Sequence, residues 1–227
     1  MGMTKRIIFG AVAILLVIAA AYAAFFIAPE ERTMGLIQRI FYFHAATAWA
    51  GEMTFFVCFL ANLLYVWKRQ PRYDWLGVSS AEVGLACITV VLITGPVWAH
   101  PVWGIWWTWD ARLTSTFVLW LLYVSYLLLR TLIEEPDRRA LLSALFGIFA
   151  FLDVPLVFFS IRWWRTQHPQ PVIMGGSGSG LDPTMSKVFF FSVLAMHVLA
   201  AFLIVERYVL EKMKSEFDFL AREVEAQ

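Results

Sequence analysis

At 227 residues, with 60% hydrophobic and 17% aromatic side chains, the chain carries only 15% charged residues, well below the roughly 25% of soluble domains, and reads as an integral membrane protein. The formal net charge of +1, with no dense basic face, excludes a nucleic-acid partner. Two cysteines, Cys58 and Cys87, lie in apolar runs without CxxC or CxxCH spacing, which excludes a disulfide framework, a thiol redox motif and covalent haem attachment to this chain.

Six apolar runs, near residues 7–28, 42–66, 82–99, 113–132, 141–161 and 185–206, are each long enough to cross about 30 Å of hydrocarbon at about 1.5 Å per residue. The first follows Lys5 and Arg6 and contains Ala21-Tyr22-Ala23, which resembles a signal-peptide cleavage site. Its length exceeds the usual ~7–15 residues of such a signal, so a retained span is expected. Pro71 and Pro136 are expected to break helices at the connections. Beyond Arg207 a mixed-charge tail with Phe217, Phe219 and Leu220 reads as a short amphipathic helix lying on membrane lipid or a partner. The sequence predicts an all-α fold of six transmembrane helices, a single polytopic domain over 1–227 with a tail at about 207–227.

Lysine and arginine distribute unevenly over the connections. Lys5, Arg6, Lys68, Arg69, Arg72, Arg130, Arg138, Arg139, Arg207, Lys212, Lys214 and Arg222 fall on one side, and Arg32, Arg39, Arg112, Arg162, Arg165 and Lys187 on the other. The positive-inside bias puts both termini in the cytoplasm and three aromatic-rich loops outside. These lie near 29–41, at the tryptophan-rich segment of about 98–115, and from Arg162 to Ser186, where GGSGSG at 175–180 reads as a flexible connector. Without a following Lys and Ser/Thr that run is no phosphate loop.

The segment PVWGIWWTWDAR at 101–112 sets Trp103, Trp106, Trp107 and Trp109 just ahead of Asp110 and Arg112. Such a cluster is either an interfacial aromatic belt or a flat apolar platform for a flat apolar ligand. Of four histidines, His44, His100 and His168 fall at or beyond the external surface and His197 within the sixth span. Imidazole suits iron, and two histidines from different loops could ligate a haem iron from both sides with tryptophans against the porphyrin. His44, after Phe41-Tyr42-Phe43, and His168, after Trp163-Trp164, form the best pair; the plainer reading of each is a histidine bonded to backbone. His100, before Pro101, marks a chain turn ahead of the platform and reads as a structural residue or a proton-accessible surface site. His197, with no histidine partner in another span, is expected to be neutral and hydrogen-bonded at a helix contact.

Asp110 reads as the N-cap of a helix starting at Ala111, as an anchor of the tryptophan loop acting through Arg112, or as both. Arg112, Arg162 and Arg165 are candidates for pairing with ligand carboxylates. Within the spans, Asp153 with Pro155 is expected to kink span five toward the platform, and Glu52 lies about two turns from His44 on one helix face.

These segments resemble the CcmC-type cytochrome c maturation family (haem exporter protein C), part of the wider haem-handling family with the tryptophan-rich WWD domain. The resemblance covers nearly the whole chain and rests on WGIWWTWDARLTS at 103–115, FYFHAATAW at 41–49 and DVPLVFFSIRWWRTQH at 153–168. It implies His44 and His168 as axial ligands of non-covalently bound haem b, and Trp103 to Asp110, Gly104 included, as the platform. It also implies a role at the outer face of the bacterial inner membrane, presenting haem to a periplasmic chaperone, CcmE, on which haem becomes covalently bound. The implied further partners are the single-span CcmD and the ABC-type ATPase and permease CcmA and CcmB, and no catalysis is expected of this chain. The alternatives are a haem lyase or cytochrome c synthetase acting directly on apocytochrome, and a solute permease, which leaves the aromatic cluster unexplained. Larger synthetase relatives carry further histidines in their spans; His197 alone here speaks against a second, transmembrane haem.

Overall fold

Hydropathy accounts for most of the helices in the computed structural model, which describes residues 2–164, 166, 168 and 180–225. Among the described residues the helices are α1 (Met3–Tyr22, continued by a π-helical turn Ala23–Ile27), α2 (Ile40–Lys68, preceded by a 3-10 turn Leu36–Arg39), α3 (Pro71–Trp103), α4 (Ala111–Leu132), α5 (Pro136–Phe151), α6 (Asp153–Trp163) and α7 (Pro183–Glu225). Six stretches are long and apolar enough to cross a membrane: Met3–Ile27, Leu36–Lys68, Pro71–Trp103, Ala111–Leu132, Pro136–Trp163 and Pro183–Ala221. Each corresponds to one predicted run, and α1 packs along α7, with Gly10 against the Phe202 ring.

The helices do break at Pro71 and Pro136, each of which begins the next helix, α3 and α5; at the first turn a missing N–H costs nothing and the fixed φ is already helical. Three expectations change. The third helix is far longer than the apolar run 82–99, because its first turns hide their polarity in pairings: Asp74 with Arg130 at 2.6 and 2.8 Å, Ser79 Oγ donating to the Trp75 carbonyl, and Glu82 with Arg207. At its other end α3 continues through Pro96 and Pro101 to Trp103, so the chain does not turn at His100. The tail after Arg207 is no separate helix. It prolongs α7, whose 43 residues reach about 65 Å at about 1.5 Å per residue, roughly twice a hydrocarbon core.

Span five is interrupted where a kink is expected. Pro155 has no N–H for the carbonyl four residues earlier, and the helix is interrupted at Leu152, between α5 and α6. Asp153 is buried in the first turn of α6, which packs on α4.

The second helix is central, packing on α3 and also on α7 and α5. Small residues let these backbones approach: Ala46, Ala50, Gly51 and Ala61 of α2 are buried, and Gly77 of α3 and Gly147 of α5 leave room for the buried Asn62 side chain. Phe55 stacks on Tyr123 at 3.6 Å and 12°. The α2–α3 connection is two residues, with Arg69 left-handed (φ 54°) and Gln70 extended before Pro71, so the two helices form a tight antiparallel hairpin. The start of α2 therefore lies beside the end of α3.

Candidate functional site

His44 sits in the second turn of α2 against one face of α3. Its Nδ1 is 2.8 Å from Thr94 Oγ1, its ring meets Trp98 edge-on at 5.8 Å, and its Cε1 lies 3.4 Å from where a Cβ on Gly95 would stand. Residues 94 and 98 are one helical turn apart and share a face. Glu52 lies about two turns farther along the same face of α2, and both side chains line the same cavities.

The tryptophan segment is part helix and part loop. Trp103 closes α3, and Gly104 takes the left-handed conformation (φ 71°) while donating its N–H to the His100 carbonyl at 2.8 Å, a helix stop that favours glycine. His100 stacks on Trp106 at 4.1 Å and 18°, so it braces the loop. Trp107 meets Trp109 and Phe117 edge-on. Trp109 is 73% exposed on the outer side of that cluster, whereas Trp103, Trp106 and Trp107 line a cavity.

Asp110 caps α4 as expected, but it holds the tryptophan loop through Thr108 rather than through the Arg112 side chain. One oxygen caps α4, accepting from the N–H groups of Arg112 (3.0 Å) and Leu113 (3.1 Å), and the other accepts from the Thr108 hydroxyl (2.9 Å) within the tryptophan loop. Burial raises its pKa, but hydrogen bonds from Leu113 N–H, the Thr166 and Thr108 hydroxyls and Arg112 N–H outweigh it, leaving the carboxyl below its ordinary value. The link to Arg112 runs through that backbone N–H. The guanidinium donates to the Val157 carbonyl of α6 at 3.3 Å.

His168 lies beyond the end of α6, its backbone N–H donating to Thr166 Oγ1 at 3.1 Å. Since Thr166 also bonds Asp110, one carboxylate ties the tryptophan loop, the head of α4 and the His168 segment together. Arg162 packs over the Phe158 and Phe159 rings and reaches the larger cavity. Trp163 stacks on Phe159 and meets Trp164 edge-on; both are more than half exposed and line neither cavity. Arg165 lies outside the described residues. His197 is in α7, its Nδ1 2.8 Å from the Val193 carbonyl of its own helix.

Two cavities, of about 110 and 680 Å³, meet at a common wall of His44, Ala48, Glu52, Trp98, Arg112 and His168. The larger falls within the roughly 300–1,000 Å³ usual for small-molecule sites. Trp98 and Trp107 each bury an indole N–H with no acceptor among the described residues. Those residues hold no group of three or more His, Cys, Asp or Glu suited to a metal ion; His44 and His168 are the two histidines that line both cavities. Sequence reading did not single out Thr94, Trp98, Thr108 and Thr166. The available signal was the spacing of Thr94 and Trp98 on one helix face, in register with the end of the hairpin that carries His44.

Fold and site together define a class: a multi-pass helical membrane protein with a cavity lined by tryptophans and two histidines at one end of its bundle. The family model described as "Heme exporter protein C" (CcmC) matches residues 1–223. A heme exporter protein C of Bradyrhizobium diazoefficiens is 32% identical over 190 residues, covering 84% of this chain and 70% of that protein. The heme exporter protein C of Escherichia coli K12 is 30% identical over 182 residues, 79% of this chain and 72% of that protein. A mitochondrial protein of Marchantia polymorpha, described as ccmC-like and of cytochrome c biosynthesis, is 28% identical over 166 residues, 73% of this chain and 70% of its own. The chain belongs to the heme exporter protein C (CcmC) family and is a haem-handling membrane protein of cytochrome c biogenesis.

Proposed function

We propose that this protein holds haem as cargo in the shared cavity and presents it, at the outer face of a bacterial inner membrane, to a periplasmic haem chaperone of the CcmE kind. The observation that carries this reading is that His44 and His168, from distant parts of the chain, line the same cavity as Trp103, Trp106 and Trp107. Iron accepts two imidazoles as axial ligands, and the indoles supply apolar cover for the macrocycle. Arg112 and the unpaired indole N–H groups of Trp98 and Trp107 are donors suited to the cargo's carboxylates. The excess of Lys and Arg at the opposite end of the bundle supports cytoplasmic termini. CcmD, CcmA and CcmB are the membrane partners this role calls for. The protein itself makes no covalent bond to haem or apocytochrome.

Purified protein should show a Soret band. His44→Ala and His168→Ala should each lose haem or change its ligation, while His197→Ala should leave it unchanged. Absence of the band from both native and haem-supplemented protein would overturn the reading. Thioether formation on an apocytochrome by this protein alone would replace delivery with a synthetase activity.

A further inference from the structure

The strongest unassigned contact in the site is that between His44 Nδ1 and Thr94 Oγ1, at 2.8 Å. Thr94 Oγ1 also lies 2.8 Å from the Val90 carbonyl and 3.4 Å from that of Val91. A carbonyl only accepts, and two oxygens 2.8 Å apart without a hydrogen between them repel, so the single hydroxyl hydrogen of Thr94 is committed to Val90. What Thr94 offers His44 is therefore a lone pair. The Nδ1 of His44 must carry the hydrogen, and in the neutral ring Nε2 is then left as the bare acceptor.

We infer that Thr94 is a positioning residue for the cargo site, fixing His44 as the Nδ1–H tautomer with Nε2 available to iron. This rests on the reading of His44 as an axial ligand. Two further features of α3 shape the ring's surroundings: Trp98 meets it edge-on at 5.8 Å, and Gly95, without a side chain, leaves space beside Cε1, the carbon next to Nε2. The third helix thus holds the ring at residues 94 and 98 while α2 supplies its backbone. A hydrogen bond from Nδ1–H also raises the electron-donating power of Nε2 toward a metal, and loss of such a partner typically lowers metal affinity about 10–100-fold. Better donation favours ferric over ferrous iron, so removing the acceptor should raise the haem midpoint potential.

The test compares Thr94→Val, which keeps the shape and loses the lone pair, with Thr94→Ser, which keeps the hydroxyl. Full-length protein is purified with its haem, and three quantities are measured: the rate of haem loss to an apomyoglobin trap, the low-spin signature by electron paramagnetic resonance, and the midpoint potential. Thr94→Val should lose haem about 10–100-fold faster, with a shifted low-spin signal and a raised potential, and Thr94→Ser should match the native protein. Native behaviour of Thr94→Val, or equal shifts in both variants, would overturn the assignment; the latter would mean that packing rather than the hydrogen bond matters. If Thr94→Val does not fold, Trp98→Leu gives a second test, since removing the indole that meets the ring edge-on should let the ring reorient and alter the same spectrum without touching the hydrogen bond. An unaltered spectrum there would overturn the claim that α3 sets the ring. His44→Ala tests the ligand reading separately: haem retained there with native ligation would sink that reading, whereas its loss alongside a native-like Thr94→Val would sink only this inference.

Discussion

Asp110 is the residue whose removal should disturb the site most without touching the cavity's histidines. Its carboxylate accepts two backbone N–H bonds at the head of α4 and hydroxyl bonds from Thr108 and Thr166. Loss of the cap alone costs about 1 kcal/mol, and each hydroxyl bond to a charged acceptor adds roughly 1.5 kcal/mol at a half-buried position. Asp110→Ala should therefore destabilise the protein by roughly 2–4 kcal/mol. Asp110→Asn keeps a good capping oxygen but cannot also accept both hydroxyls, so it should lose about 1–2 kcal/mol. Denaturant titration in detergent, followed by tryptophan fluorescence, measures both. A result for Asp110→Ala within about 0.5 kcal/mol of the native protein would refute the idea that this carboxylate joins the three segments. The pH dependence has a fixed sign. Because the folded pKa is depressed, the stabilisation is complete above the ordinary carboxylate range and is lost as pH falls through the folded value. The tryptophan signal should therefore change on acidification below about pH 4 in the native protein, and that transition should vanish in Asp110→Asn.

The bundle itself offers further checks. Arg130 and Asp74 face each other with side chains 10% and 13% exposed, so Asp74→Ala, which strands a buried guanidinium, should cost about 3–5 kcal/mol in the same titration. Gly147→Ala forces a methyl into the Asn62 side chain and should lower the melting temperature, equivalent to about 1–3 kcal/mol of overpacking. Arg69 is the one non-glycine residue with positive φ among the described residues; Arg69→Gly should stabilise by up to about 1 kcal/mol, seen as a raised melting temperature. On the proposed ligation of haem by His44 and His168, His168→Ala, measured by absorption, should retain more haem than His44→Ala, because the His44 ring stays held by Thr94 and Trp98 of α3.

Much of the fold was legible because it follows from hydrophobic length, which needs no knowledge of contacts. Six runs gave six spans, and Asp153 with Pro155 gave the break at Leu152. What hydropathy could not give was where helices extend through polar or proline-bearing sequence. The first turns of α3 are polar, yet Asp74 and Glu82 are neutralised by arginines more than fifty residues away. Such partners are invisible in a window of sequence. Pro101 suggested a turn at His100, but the end is supplied by Gly104, because a helix already packed along its length tolerates lost hydrogen bonds better than an isolated one. In the site, the residue types were readable but their orientations were not. Four tryptophans looked equivalent in sequence. Only the left-handed turn at Gly104 and the cap at Asp110 decide that Trp103, Trp106 and Trp107 line the cavity while Trp109 stands outside it.

The two histidines reach the cavity by physically different routes. His44 projects from a long helix whose backbone bonds are all internal, and its ring is fixed from a neighbouring helix by Thr94 and Trp98. Moving it means moving α2 against α3, the most extensive helix contact in the bundle. His168 stands past the end of α6, on a segment bonded through Thr166 to the same carboxylate that shapes the tryptophan loop. Asp110 bonds the tryptophan loop through Thr108 and the His168 segment through Thr166, so a change at this one carboxylate reaches both walls of the cavity, whereas His44 is held independently by α3.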